Sequence, residues 1–186
     1  HDSIPVSARW VVDAAGRSHI IARQKQLHFP VGHEITASWA RYKNVVDMDA
    51  IDDDAWRGRV RHTARFLSTT HFCYPGCWIW FIPLKEGVTS VGAVVERKLV
   101  TDQFRTKDGF LAYMKQHRAP WELIENAELL DFMSYKQLAY GTKQFFSPDR
   151  WVTIGDAAAF TDPFYSPGSD FISVENDFVT DLIRRD

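Results

Sequence analysis

The chain has 186 residues, of which 45% are hydrophobic and 25% are charged. This is the composition of an ordinary globular domain. With 22 basic and 24 acidic side chains the formal net charge is -2, so there is no basic excess that would favour nucleic acid or an anionic membrane. The sequence contains neither a signal peptide nor an apolar run near the ~20 residues of a membrane span.

The two cysteines, Cys73 and Cys77, are too few for a disulfide-rich secreted scaffold and predict a reducing compartment such as the cytoplasm. His71 lies beside them, but the spacing matches no standard pair of zinc ligands. The acidic residues between 47 and 54 lack the glycine and the distal glutamate of a calcium loop. We therefore expect no metal.

The first elements along the chain are strands. A short buried strand is predicted over Trp10–Val12, and a turn follows from Asp13 to Gly16. Alternation predicts a second strand in which four residues share one face: Ile35, Ala37, Trp39 and Arg41. A polar loop is expected over 48–62. Three strands, 65–72, 77–83 and 89–97, then form an antiparallel meander, because hairpin-like turns separate them.

The second half of the chain mixes helices with extended segments. A helix capped by Asp108 is predicted from the helical spacing of Phe110, Met114 and His117, and an extended segment follows over 129–146. A second buried strand leads into Gly155-Asp156. The last helix, 169–184, has Ser166 as its predicted cap, Pro167 in its first turn, and an inward stripe of four residues: Phe171, Val174, Phe178 and Leu182. These elements predict an α/β or α+β fold with an antiparallel sheet.

Two segments have the residues expected at a ligand. In "VVDAAGRS" a strand ends at Asp13, and Gly16 allows the backbone to approach a large group; a plain strand and turn explains the segment equally well. In "GDAAAFTDPFYSPGSDF", Gly155 admits a ligand to the main chain and the Asp156 carboxylate suits sugar-like hydroxyls. The helix start at 166–169 favours an anion or an electron-rich ring edge.

A third segment, "WIWFIP", places Trp78 and Trp80 on one face of a strand and Ile79 and Phe81 on the other. A pair of tryptophans is usually part of a core. In this order, however, the three segments resemble the flavin-dependent halogenases and their monooxygenase relatives. The family signature Trp-x-Trp-x-Ile-Pro is matched by four residues: Trp78, Trp80, Ile82 and Pro83. The other two segments resemble the family's Asp-Ala-x-Gly-Arg turn and its Gly-Asp-Ala, Asp-Pro, Ser-x-Gly motif.

The resemblance implies the flavoprotein-monooxygenase (GR2-type) fold, with 1–30 and 145–186 in the FAD-binding domain and 31–144 as a β-sheet substrate region. It implies FAD as cofactor, a separate flavin reductase, and halogenation or oxygenation of an electron-rich aromatic molecule, free or tethered to a carrier protein. The implied cofactor contacts are Asp13, Gly16, Arg17, Gly155, Asp156, Pro163 and Gly168. The implied substrate or tunnel residues are Trp78, Trp80, Ile82, Pro83 and Tyr165.

The sequence departs from the family pattern in three places. The Gly-x-Gly-x-x-Gly phosphate loop and the catalytic lysine after it are missing, so the chain is expected to be a fragment, inactive alone; Lys25, Lys43 and Lys85 lie in the wrong segments. Tyr165 replaces the glutamate of tryptophan halogenases. In the resembled family a halide lies near the two N–H groups that follow Ser166; here these residues are Pro167, which has no N–H, and Gly168.

The missing donor leaves halogenation and oxygenation as open alternatives, because a buried halide needs such donors. Two other interpretations of the sequence compete with a halogenase-like protein. A flavoprotein of the geranylgeranyl-reductase type shares the "GDAA" segment but gives no reason for "WIWFIP". A non-enzymatic binding domain, whose aromatic residues stack on a sugar or a lipid, would need no flavin.

Overall fold

The computed structural model describes residues 4–59 and 64–186. Within these residues the chain forms ten strands: β1 Val11–Asp13, β2 His28–Phe29, β3 Ile35–Lys43, β4 Thr70–Tyr74, β5 Cys77–Pro83, β6 Val88–Glu96, β7 Glu128–Tyr135, β8 Gly141–Thr142, β9 Phe146–Ser147 and β10 Trp151–Thr153. It also forms five α-helices: α1 Ile20–Gln24, α2 Asp54–Arg57, α3 Lys107–Met114, α4 Arg118–Ile124 and α5 Gly168–Arg185. The chain divides into two compact units, 1–33 with 138–186, and 34–137.

The unit 34–137 is built on a five-stranded antiparallel sheet in the order β4-β5-β6-β3-β7. Alternation along each strand gives the sheet two different faces. One face packs on α3 and α4 and forms the core around Ile79, Phe81 and Phe110, which are almost fully buried. On β5 this places Trp78 and Trp80 on the opposite face, as predicted.

The predicted meander is confirmed, with one correction at its start. Strands β5 and β6 match the predicted ranges within a residue, and β4, β5 and β6 are consecutive antiparallel neighbours. The strand predicted over 65–72 is wrong at its beginning, because Arg65–Leu67 forms a 3₁₀ turn and β4 starts at Thr70. The Asp49 carboxylate holds this turn by accepting from the Arg65 backbone N–H and guanidinium at 2.6 and 2.9 Å.

The predicted polar loop over 48–62 contains a 3₁₀ turn at Met48–Ala50 and the short helix α2; its last residues, 60–62, lie outside the described residues. The helix predicted after it is present as α3, but Asp108 is not its cap. Thr106 is the N-cap and accepts a hydrogen bond from Gly109 N–H at 3.1 Å. Asp108 is the second residue of the helix and lies in its first turn, where its charge suits the N-terminal dipole.

The unit 1–33 with 138–186 contains a small sheet in the order β1-β10-β9, in which β1 runs parallel to β10. All three residues of β10 are buried, as predicted. The N-terminal strand is not buried as predicted: it runs from Val11 to Asp13, and Val11 and Val12 are 53% and 42% exposed. Strand β1 lies at the edge of this sheet, so only the Asp13 side chain turns into the unit.

Helix α5 confirms the predicted C-terminal helix, but two details of the prediction are wrong. Phe171, Val174 and Phe178 are 50%, 50% and 66% exposed, whereas Val179 is buried. The helix packs on its own unit through a different face, which also carries Glu175 and Ile172. Ser166 does not cap it; Ser166 ends the preceding 3₁₀ turn, Pro163–Tyr165, in the left-handed conformation, and Pro167 occupies the N-cap position. Among the described residues no helix has the length and apolar character that crossing a bilayer requires.

Candidate functional site

A cavity of about 500 Å³ opens in the unit 1–33 with 138–186, where β10 ends and α5 begins. Six of the residues singled out in the sequence line it: Gly155, Asp156, Pro163, Ser166, Pro167 and Gly168. Further lining residues include Phe145, Phe160, Ser169 and Glu175. The turn after β10 and the start of α5, which are more than ten residues apart in sequence, therefore face the same space.

Gly155 is the residue on which the geometry of this turn depends. Its φ of +56° lies in the left-handed region, which glycine adopts without steric cost. A side chain there would also meet Ile172, whose Cγ1 is 3.2 Å from the position of a Cβ. The Gly155 N–H donates to the Glu175 carboxylate at 2.5 Å, which ties the turn to α5.

Asp156 lines the cavity, and its backbone carbonyl is held by a side chain from a distant part of the sequence. The Tyr140 hydroxyl donates to the Asp156 carbonyl at 2.8 Å. In the described part of the chain no donor reaches the Asp156 carboxylate, and a carboxylate can only accept hydrogen bonds. It is therefore placed to receive hydroxyl or N–H donors from a ligand.

Asp13 lies close to this turn but uses its carboxylate locally. Its Oδ1 accepts from Ala15 N–H at 3.0 Å and its Oδ2 from Ile21 N–H at 2.7 Å, so the side chain fixes the turn that leads into α1. The Asp13 carbonyl accepts from Ile154 N–H at 3.0 Å, which joins the ends of β1 and β10. The two segments singled out in the sequence are thus neighbours, and Asp13 contributes to their shape.

Arg17 and His19 belong to a cluster around Tyr140 that the sequence did not reveal. The Arg17 guanidinium lies over the rings of Tyr140 and Phe160, 4.7 and 5.0 Å from their centroids. The His19 ring meets Tyr140 edge-on at 4.5 Å, and burial lowers the pKa of the His19 imidazole below its ordinary value. His19 also has a left-handed backbone, with φ of 46°. The cluster supports Tyr140, which in turn holds the Asp156 carbonyl.

The start of α5 forms the opposite wall of the cavity. Ser166 is left-handed, with φ of 53°, and its N–H donates to the Pro163 carbonyl at 2.9 Å. Pro167 has no N–H, so Gly168 and Ser169 present the first N–H groups of α5 that lack a partner within the helix. Tyr165 does not line the cavity; it is 86% exposed.

In the unit 34–137, Trp78 and Trp80 form an aromatic layer on the sheet face opposite the core. Their ring centroids are 5.5 Å apart, and Trp39 lies 6.3 Å from Trp80. Trp80 rests on Gly92 of β6, because a Cβ there would come within 2.4 Å of the indole ring. Its indole N–H donates to Ser90 Oγ at 3.1 Å. The layer is therefore held in place by packing and by this hydrogen bond, with its neighbouring rings tilted by 44° and 46° to one another.

The aromatic layer extends to both sides of the two tryptophans. Tyr135 meets Trp39 at 5.4 Å, and His71 meets Trp78 edge-on at 5.1 Å. Burial lowers the pKa of the His71 imidazole below its ordinary value, which favours the neutral ring. Ile82 and Pro83 follow at the end of β5 and line a separate cavity of about 860 Å³ in the same unit.

No protein-family model matches the chain. Individual curated proteins, however, are similar to it over most of its length. The flavin-dependent halogenase ChlA of Dictyostelium discoideum is 31% identical over 192 residues, an alignment that covers 98% of this chain and 31% of that protein. The 1H-pyrrole-2-carbonyl-[peptidyl-carrier protein] chlorinase of Pseudomonas fluorescens is 29% identical over 181 residues, covering 89% of the chain and 36% of that protein. The chain is related to the flavin-dependent halogenases.

The halogenases also share the fold. The crystal structure of halogenase PltM in complex with phloroglucinol and FAD superimposes with a TM-score of 0.82 at 22% identity, covering all of this chain and 39% of that one. This confirms the predicted mixed α/β fold with antiparallel sheets and its likeness to the flavoprotein architecture. The chain spans about a third of the length of the curated halogenases that it matches. Which residues contact a cofactor or substrate stays a prediction.

Proposed function

We propose that this chain is part of an FAD-dependent, halogenase-like oxidoreductase that modifies an electron-rich aromatic molecule. The observation that carries the proposal is the single cavity shared by the Gly155-Asp156 turn and the start of α5. Two parts of one family motif, Gly155-Asp156 and residues 166–168, meet there although they are separated in the sequence. The similarity to named flavin-dependent halogenases over nearly the whole chain supports the same conclusion.

The residues of this cavity fit part of a flavin nucleotide. Gly155 leaves room at the main chain, Asp156 offers a carboxylate without a donor among the described residues, and the start of α5 offers N–H groups. Hydroxyls of a ribityl chain suit Asp156, and the electron-rich edge of a flavin ring suits the helix N-terminus. Bound and reduced FAD would supply the electrons for oxygen-dependent oxidation of a halide or of the substrate. The chain's own residues bind and orient it.

In this proposal the residues 1–30 and 145–186 belong to the cofactor domain and the residues 31–144 to the substrate region. The aromatic layer of Trp78 and Trp80 then provides an aromatic wall for the substrate, because offset and edge-to-face contacts between aromatic rings are favourable. Ile82, Pro83 and Tyr165 are proposed substrate contacts. The Pseudomonas fluorescens relative is named for a substrate carried on a peptidyl carrier protein, which supports a tethered aromatic substrate here.

Two further proposals concern the source of reduced FAD and the location of the protein. We propose a separate flavin reductase as the source of reduced FAD, by analogy with the family. A cytoplasmic location suits the two cysteines, neither of which is in a disulfide.

The test uses the purified full-length protein. A flavin absorbance spectrum is expected after FAD is added and unbound FAD is removed, and a protein that retains no flavin would refute the assignment. Reaction with a flavin reductase, oxygen and a phenol or pyrrole substrate follows, with and without bromide. A product whose mass contains bromine identifies halogenation; a product that gains only oxygen identifies oxygenation. The names of the curated relatives favour halogenation, whereas the missing N–H at Pro167 favours oxygenation, and the product mass decides between them.

A further inference from the structure

The cavity at the start of α5 contains a carboxylate for which the family motifs give no role. Glu175 lies in the second turn of α5, lines the cavity, and accepts a hydrogen bond from the Gly155 N–H at 2.5 Å. The two residues are 20 positions apart in the sequence. This contact joins the helix to the turn that carries Asp156.

The Gly155-Asp156 turn is held by two hydrogen bonds from outside its own segment. The left-handed φ of Gly155, +56°, makes the sharp turn at the end of β10, and the next residue, Asp156, lines the cavity. The Tyr140 hydroxyl fixes the Asp156 carbonyl, and Glu175 fixes the N–H one residue earlier. Since the Gly155 N–H already has an acceptor, a ligand at this turn meets the Asp156 carboxylate and not that N–H.

The charges in the cavity have a second consequence. Among the described residues that line it there are two carboxylates, Asp156 and Glu175, and neither lysine nor arginine. The N-terminus of α5 contributes the equivalent of roughly half a positive charge. Two negative charges outweigh it, so a bare anion is disfavoured. A ligand that brings hydroxyl donors is favoured, because carboxylates accept hydrogen bonds.

We infer that Glu175 is a positioning residue that holds the Gly155-Asp156 turn, and that its charge makes this cavity select a hydroxyl-bearing ligand over a free anion. The inference rests on the proposed function for the identity of that ligand, the ribityl part of FAD. The positioning role rests on the hydrogen bond alone.

The experiment compares three variants of the full-length protein. Glu175→Gln keeps an oxygen acceptor and removes the charge, whereas Glu175→Leu removes both. Asp177→Asn removes an exposed negative charge from the same helix and is the matched control. Far-UV circular dichroism establishes that each variant is folded. Hydrogen exchange measured by mass spectrometry on the peptide containing Gly155 reports the hydrogen bond directly, without any ligand.

We expect the protection of the Gly155 amide to fall at least tenfold in Glu175→Leu and to be retained in Glu175→Gln and Asp177→Asn. The FAD dissociation constant should rise about tenfold or more in Glu175→Leu, the loss expected for a hydrogen bond to a charged group. In a bromide titration followed by NMR line broadening, Glu175→Gln should bind bromide about threefold more tightly than both wild type and Asp177→Asn.

Unchanged exchange at Gly155 in Glu175→Leu overturns the positioning role. Bromide affinity that is no higher in Glu175→Gln than in Asp177→Asn overturns the charge role. The proposed function can fail separately. If Gly155 exchanges faster in Glu175→Leu than in wild type but the wild-type protein binds no FAD, the proposed function is rejected and the positioning role stands.

Discussion

Replacing Gly92 by alanine tests whether the aromatic layer is fixed by packing. Gly92 lies in the middle of β6, and Trp80 crosses directly above it. A Cβ at this position would lie 2.4 Å from Cβ of Trp39 and 2.4 and 2.5 Å from two carbons of the Trp80 ring. Real Cβ contacts below 3.0 Å essentially never occur, so the Trp80 ring has to move.

The cost follows from three contributions. Inserting a methyl group into a packed site costs about 1–3 kcal/mol. Displacing the ring also breaks the hydrogen bond from its N–H to Ser90, which contributes about 0.5–1.5 kcal/mol. Replacing glycine by alanine recovers about 0.4–1 kcal/mol by restricting the unfolded chain. We therefore expect the free energy of unfolding to fall by about 0.5–4 kcal/mol, with a middle value of about 2 kcal/mol.

The assay is denaturant unfolding, with near-UV circular dichroism to report the tryptophan environment in the folded state. Two variants serve as controls. Gly32→Ala adds a methyl group where no atom lies within 4 Å and should raise stability by about 0.4–1 kcal/mol, because it only restricts the unfolded chain. Ser90→Ala removes only the hydrogen bond and should cost about 1 kcal/mol. If Gly92→Ala unfolds like Gly32→Ala with an unchanged near-UV spectrum, Trp80 is not held against β6 and the layer is not a fixed surface.

Three other perturbations test the cofactor cavity and its support. Asp156→Ala should weaken FAD binding by about 1.5–3 kcal/mol in an equilibrium titration, since it removes an acceptor that is charged, and unchanged affinity would reject the contact. Pro167→Thr supplies a missing N–H and should lower the bromide dissociation constant about tenfold; efficient halogenation by wild type at low bromide would show that this donor is not needed. His19→Asn removes a group whose folded pKa lies below its ordinary 6.5, so the wild-type protein should lose stability as the pH falls through 6.5 and the variant should lose less. Equal pH dependence of the two unfolding curves would show that His19 does not contribute.

The sequence predicted best where alternation is strong and the partner is adjacent in the chain. Strand β5 has the predicted bounds, and its faces are as predicted, because Ile79 and Phe81 alternate with the two tryptophans. The start of β4 was misplaced because Asp49, 16 residues earlier, stabilises a 3₁₀ turn at Arg65. At α3 both Thr106 and Asp108 are good caps, and local preference alone does not choose between them.

Helical spacing predicted the length of α5 but not the face that it buries. Periodicity identifies residues that share a face of a helix. Which face packs against the rest of the protein depends on the tertiary structure. Phe171, Val174 and Phe178 do share a face, yet α5 contacts its own unit through Glu175 and Val179, one turn apart. The close contact at Gly92 could have been predicted, because a glycine inside a strand often marks the close approach of another group.

The sequence predicted the turns that form the candidate site. It did not predict the side chains from distant positions that hold those turns. Motif residues such as Gly155, Asp156 and Gly168 stand out because glycine and charge are unusual beside a buried strand or at a helix start. Their supports come from distant positions: Tyr140 is 16 residues from Asp156, and Arg17 reaches the Leu138 carbonyl across 121 residues. No local pattern contains such pairs.

The supports bear on the chemistry as well as on the shape. Pro167 removes a donor that an anion would use, and Glu175 adds a charge that an anion would avoid. The two features affect anion binding through different interactions. Pro167 acts through hydrogen bonding, and Glu175 acts through long-range electrostatics. They also differ in salt dependence, since screening weakens the charge effect and leaves a short hydrogen bond nearly unchanged. Bromide affinities at low and high ionic strength therefore separate the donor from the charge, and each can be assigned to its own residue.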